Sequence, residues 1–128
     1  MAFDSMILRQ NTLGQPYALT DAATIATDAS QSRRFTVSIA TGRTLGVPTN
    51  PVDGDLRVWE VKNTSGGSVN LTLTTTSGGF IPMETVEGTP IAVSPAVNPI
   101  PAGEVLVILA YYSSSQTGWV ILSTLASI

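Results

Sequence analysis

The sequence contains neither cysteine nor histidine. The first absence excludes disulfides, thiolate nucleophiles, zinc knuckles and iron–sulfur ligation. The second excludes imidazole acid–base catalysis and imidazole metal sites. Charge is scarce as well: 12% of residues are charged, and Lys62 is the single lysine. A net charge of −3 offers no basic surface for nucleic acid or an anionic membrane. No uninterrupted apolar run approaches the ~18 residues of a membrane span. The opening MAFDSMILRQ lacks a basic start followed by a long apolar stretch, so no secretion signal is read and assembly in a cytoplasm is expected.

What remains is a chain of 128 residues, 43% of them hydrophobic, with a mean hydropathy of +0.26. That is one domain's length, and it is the reverse of the polar, highly charged composition of unfolded chains. Threonine, valine and isoleucine are abundant, which suits pleated strands better than helices. The one helical candidate, the Ala-rich stretch 21–29, is short and rich in threonine and reads as strand or loop.

Residues 1–16 read as an N-terminal arm with an apolar cluster at Met6, Ile7 and Leu8, ending in the hinge Gly14-Gln15-Pro16. A β domain follows over 17–128. Residues 17–20 and 22–27 suggest two short strands. In 33–41, Phe35, Val37 and Ile39 alternate with Thr36, Ser38 and Ala40. A long turn from Gly46 to Gly54 leads into a strand over 56–63, with Arg57, Trp59 and Val61 on one face. Gly66-Gly67 then predicts a hairpin into 68–76, where Val69, Leu71 and Leu73 alternate with polar residues. Between 77 and 103, Pro82, Pro90, Pro95, Pro99 and Pro101 confine any strand to short or edge positions, Ile91-Ala92-Val93 among them. The nearly continuous apolar run 104–112 fits a central strand covered on both faces. After a turn over 113–118, residues 119–125 return as its partner. The expectation is an all-β fold, a sandwich or flattened barrel of about seven to nine short, mostly antiparallel strands plus the arm.

Candidate chemistry is thin. Asp53 and Asp55 flank Gly54 near Asn50, but that spacing is turn chemistry before it is a calcium loop. Asp21 and Asp28 fit Asx-type turns. Glu84, Glu87 and Glu104 show no pairing. Serine and threonine lack a base, with Lys62 the one candidate amine. Neither Gly42–Gly46 nor Gly78-Gly79 has the context of a phosphate loop. Arg33-Arg34 reads as a solvated strand end or a salt bridge. No catalytic residue, cofactor site or metal site is assigned, and the chain is not read as an enzyme. Trp59 and Trp119 belong to the core. Of the adjacent Tyr111 and Tyr112, one must face away from the other.

The stretch from Leu19 to Ser30, then Arg34-Phe35-Thr36-Val37-Ser38, Arg43-Thr44-Leu45-Gly46 and Pro48-Thr49-Asn50-Pro51-Val52-Asp53-Gly54 before Trp59-Glu60-Val61, resembles a small β module of tailed-bacteriophage virion proteins. Tyr111-Tyr112 and Gly118-Trp119-Val120-Ile121 stand where that family's closing hairpin is expected. Asp55 stands where its members usually carry glutamine. The likeness extends over about residues 19–125, loosest between 77 and 103.

Such modules end long fibre proteins or stand alone on the virion. The initial methionine, the short arm and the missing fibre region favour the second setting. The resemblance therefore implies a capsid decoration (cement) protein on the capsid exterior. It would bind the major capsid protein and itself, as a homotrimer, through an interface assigned to Met6, Ile7, Leu8, Tyr17 and Tyr112. The alternative is a tail- or fibre-associated adhesin that binds host-surface glycan through exposed aromatics.

Overall fold

The computed structural model describes residues 15–81, 83–86, 89–92 and 96–126. Alternating apolar and polar residues produce twelve short strands in chain order, and no helix occurs among the described residues. They are β1 (Pro16–Ala18), β2 (Thr24–Ile25), β3 (Arg34–Ile39), β4 (Arg43–Leu45), β5 (Leu56–Asn63) and β6 (Val69–Leu73). Then come β7 (Phe80–Ile81), β8 (Met83–Val86), β9 (Thr89–Ala92), β10 (Val97–Ile100), β11 (Val105–Ser113) and β12 (Gly118–Ala126). Pro16, placed in the arm by sequence, is already paired with Arg34 as the first residue of β1. The count exceeds the expected seven to nine because several strands have two or three residues, and because the proline-rich segment forms its own β8–β9 hairpin.

The strands form a six-stranded sheet, β1-β3-β5-β11-β12-β7, and a four-stranded sheet, β10-β6-β4-β2. The order has a simple cause. From β1 to β6 the chain alternates between the sheets, odd strands in the larger and even strands in the smaller. Each full winding lays a strand beside its predecessor in the same direction, so β1–β3, β3–β5, β2–β4 and β4–β6 are all parallel. β7 also joins β12 in parallel. The late strands supply the antiparallel pairs β5–β11, β11–β12 and β6–β10. The sheets are therefore mixed rather than mostly antiparallel.

This winding corrects the hairpin expected at Gly66-Gly67. β5 and β6 do not pair; the segment between them carries the chain from the large sheet to the small one. The buried Asn63 side chain shapes that passage. Its Nδ2 donates to the carbonyls of Gly67 (2.7 Å) and Ile100 (2.8 Å), while Oδ1 accepts from the backbone N–H (2.8 Å) and hydroxyl (2.7 Å) of Ser65. Every polar atom of the buried amide is used, as its burial demands. The β11–β12 hairpin forms as expected, with a bulge at Leu109/Ala110. Pro99 lies in β10, an edge strand, where the lost amide hydrogen costs no ladder bond.

The core lies between the sheets. Phe35, Val37, Ile39, Trp59, Val61, Leu106, Ile108, Trp119 and Ile121 face Ile25, Leu45, Leu71, Leu73 and Ile100. Five aromatic rings run through it in sequence. Tyr17 meets Phe35 edge-on at 6.2 Å, Phe35 stacks on Trp59 at 5.7 Å, Trp59 meets Trp119 edge-on at 5.3 Å, and Trp119 meets Tyr112 at 5.5 Å. Such offset and edge contacts add about 0.5–1.5 kcal/mol each beyond area burial.

Candidate functional site

Met6, Ile7 and Leu8 lie outside the described residues. The other two interface candidates are the opposite ends of the aromatic file. Tyr17 sits on the edge strand β1, 44% exposed, with its ring held against Phe35. Beside it, a groove of about 440 Å³ runs between β1 and β2, lined by Tyr17, Thr20, Ala22, Thr24, Ala26 and Asp28. Tyr112 is half-buried and packs on the core through Trp119. Its backbone N–H donates to the carbonyl of Asp55 (3.0 Å), and its carbonyl accepts from Gly54 N–H (2.8 Å). Tyr112 therefore anchors the 53–55 turn, while Tyr17 offers an open ring face.

The carboxylates weighed from sequence are engaged by neighbouring donors. Asp53 Oδ1 accepts from Ser114 N–H at 2.8 Å, and Asp55 Oδ2 from Arg57 Nη2 at 3.0 Å. Asp28 forms the expected Asx turn, accepting from Ser30 Oγ (2.6 Å), Ser30 N–H (3.0 Å) and Asn50 Nδ2 (3.0 Å). Those bonds, led by the Ser30 hydroxyl and then Asn50, hold its carboxyl well below the usual range. Asp21 forms a salt bridge to Arg43 (2.8 Å) rather than an Asx turn, which raises the Arg43 pKa through that hydrogen bond. Of the arginine doublet, Arg34 holds Glu60 with two hydrogen bonds, 2.6 and 3.0 Å, and its pKa is raised by them. Glu84 and Glu87 have no described side chains.

Arg57 escaped the sequence reading as a chemical group. It points inward, 7% exposed, and Nε donates to the Ala29 carbonyl (2.9 Å) while Nη1 donates to that of Leu56 (2.7 Å). Its position on the Trp59 face of β5, six residues before Asn63, was the available signal. With Asp55 it ties the long 46–55 connection to the loop that follows β2.

The outward face of the large sheet is the other feature that sequence reasoning missed. β11 alternates between buried Leu106, Ile108 and Ala110 and half-exposed Val105, Val107, Leu109 and Tyr111. Ladder register places Val58 beside Leu109, and Leu56 (42% exposed) beside Tyr111, with Val120 across from Tyr111. On the β3 side the same face turns polar. There Thr36, Ser38, Glu60, Lys62 and Val105 line a depression of about 330 Å³. The run 104–112 thus carries apolar residues on both faces, and the core covers one of them.

No protein-family model and no curated protein matches this chain. Among solved structures, one described as "Structure of a chaperone-substrate complex" is similar at 20% identity with a TM-score of 0.43, covering 78% of this chain and 14% of the other.

Proposed function

We propose that the chain is a structural protein of a tailed-bacteriophage virion, a decoration protein that binds the outer capsid as a homo-oligomer, a homotrimer by the resemblance, and stabilises the shell. The resemblance of the segments at 43–54 and 118–121 to the phage module supports the reading. The stretch from Pro48 to Gly54 lies in the connection between β4 and β5, and Gly118-Trp119-Val120-Ile121 opens β12 in the last hairpin, whereas Arg43-Thr44-Leu45, which the resemblance puts in the connecting stretch, is itself the strand β4. An apolar, thiol-free β domain with few charges also suits burial in large permanent interfaces.

The arm over 1–16 and the β1 edge beside Tyr17 are the docking elements in this proposal. The test is cosedimentation of the full chain with purified capsids that lack it. Binding by the full chain, lost on deletion of residues 1–16 while the β-sheet circular dichroism persists, supports it. No binding by the full chain overturns the capsid reading; binding by the truncated chain overturns the role of the arm.

The exposed Tyr17 ring beside its groove favours one second reading, a tail-associated adhesin for host-surface glycan. In that case Tyr17→Ala abolishes binding to host cells.

A further inference from the structure

Among the described residues, β1 ends the six-stranded sheet and β2 ends the four-stranded sheet, with the groove of about 440 Å³ between them. The backbone of β2 shows what its edge offers. The carbonyls of Ala23, Ile25 and Thr27 accept from the N–H groups of Thr44 (3.0 Å), Gly46 (2.9 Å) and Thr49 (2.9 Å). Successive residues of a strand turn their N–H and C=O to opposite sides, so those of Thr24 and Ala26 face the open edge. Such a row of donors and acceptors is a template for one more strand. The groove beside it is largely apolar, with Tyr17, Leu19, Ala22 and Ala26 in its walls.

We infer that Met6-Ile7-Leu8 of the same chain, which lie outside the described residues, pair in parallel with β2 and close this groove. Winding is the first argument. From β1 to β6 the chain alternates between the sheets and lays each strand parallel to the last one in the same sheet. One step further back, the strand before β1 belongs in the small sheet, beside β2. Spacing is the second. The first four strands begin at Pro16, Thr24, Arg34 and Arg43, eight to ten residues apart. The same interval before Pro16 falls on Met6, Ile7 and Leu8. The seven residues between Leu8 and Pro16 match crossings the chain already makes, since five join β1 to β2 and eight join β2 to β3. Side-chain character is the third. Parallel partners share a facing, as the buried Ile25 and Leu45 do, so the residue laid beside Ile25 must be apolar. Met6, Ile7 and Leu8 meet that demand in any register. Charge agrees: Asp28 borders the groove and is held by the neutral donors of Ser30, Gln31 and Asn50, while Arg9 directly follows Leu8. The pairing uses one edge of the segment. Its outer edge stays free for a capsid, and no oligomer symmetry is imposed.

Amide hydrogen exchange of the full chain, read by NMR, tests it. The Thr24 and Ala26 amides are expected to exchange about tenfold or more slower than in an unstructured peptide, equally at about 50 μM and 1 mM. Ile7→Pro and Leu8→Pro are made separately, because neighbouring residues point their N–H groups opposite ways and one of the two must delete a ladder donor. At least one of them is expected to remove most of that protection. The Gly46 amide, bonded to Ile25 inside the sheet, stays protected in both and reports an intact fold. Unprotected Thr24 and Ala26 amides in the full chain overturn the inference. So does protection that neither proline variant reduces, or protection that grows with concentration, which would put a second copy on the edge. The measurement is made on the isolated chain, so it stands or falls apart from the capsid reading.

Discussion

Replacing Asn63 with alanine tests the sheet-to-sheet passage directly. The side chain is fully buried and makes four hydrogen bonds, two donated and two accepted. Gly67 is exposed, and the Ser65 hydroxyl, released from Asn63 Oδ1, can donate to its carbonyl 2.8 Å away, so that carbonyl is readily compensated. Ile100 is fully buried, and its carbonyl loses a partner that water cannot easily replace. One orphaned buried group costs about 1–3 kcal/mol, and the remaining bonds about 0.5–1 kcal/mol each, giving roughly 3 kcal/mol in all. At a specific unfolding entropy of ~2.1 cal/mol/K per residue, that loss lowers the thermal midpoint by about 11 °C.

Scanning calorimetry at neutral pH measures it, with Ser65→Ala as a milder companion costing about 1 kcal/mol. Asn63→Asp sharpens the experiment. It keeps the acceptor toward Ser65 but aims a carboxylate oxygen at two carbonyls, which disfavours the charged form and raises the carboxyl pKa in the folded state. A raised folded pKa means stability is recovered as pH falls through it, so this variant gains on the wild type between about pH 7 and 4. A loss under about 1 kcal/mol for Asn63→Ala, or no such recovery in Asn63→Asp, would refute the assigned role.

Arg57→Met should cost about 2–4 kcal/mol in urea unfolding, because it removes a buried guanidinium from Asp55 and two carbonyls; a neutral result would mean the side chain is solvated. Gly79→Ala is expected to be strongly destabilising, since a Cβ there meets the Thr74 and Thr76 carbonyls, whereas Gly66→Ala, with open space around it, changes the midpoint by little. Equal midpoints for the two variants would contradict that packing. Asp28 has a folded pKa held below its ordinary 3.8 by donated hydrogen bonds, so its contribution is present above that value and is lost as pH falls. Asp28→Asn should therefore flatten the decline in stability between about pH 4 and 2, measured by thermal unfolding across pH.

The alternation of Phe35, Val37 and Ile39, of Arg57, Trp59 and Val61, and of Leu71 and Leu73 made the core legible, because period-two burial depends only on which face a strand turns inward. Partner strands were not legible. A strand ending in Gly-Gly looks the same whether the chain doubles back beside itself or crosses to another sheet. The difference here lies in the Asn63 amide and its distant Ile100 acceptor, 37 residues on. Parallel pairing of β1, β3 and β5 follows from that winding and leaves no local mark. Of the interface candidates, Tyr17 was placed on the surface and Tyr112 against Trp119, a distinction that hung on the strand's facing rather than on either tyrosine. The apolar run 104–112 was visible, but its meaning changed once one of its two faces was found half-exposed.

Under the proposed decoration role, copy number in purified virions is the most direct test. Quantitative mass spectrometry against a capsid-protein standard supplies it. Hundreds of copies per particle, released without loss of the tail, is the predicted result. A few copies that travel with the tail would contradict a decoration role, and absence from the particle would contradict the virion assignment altogether.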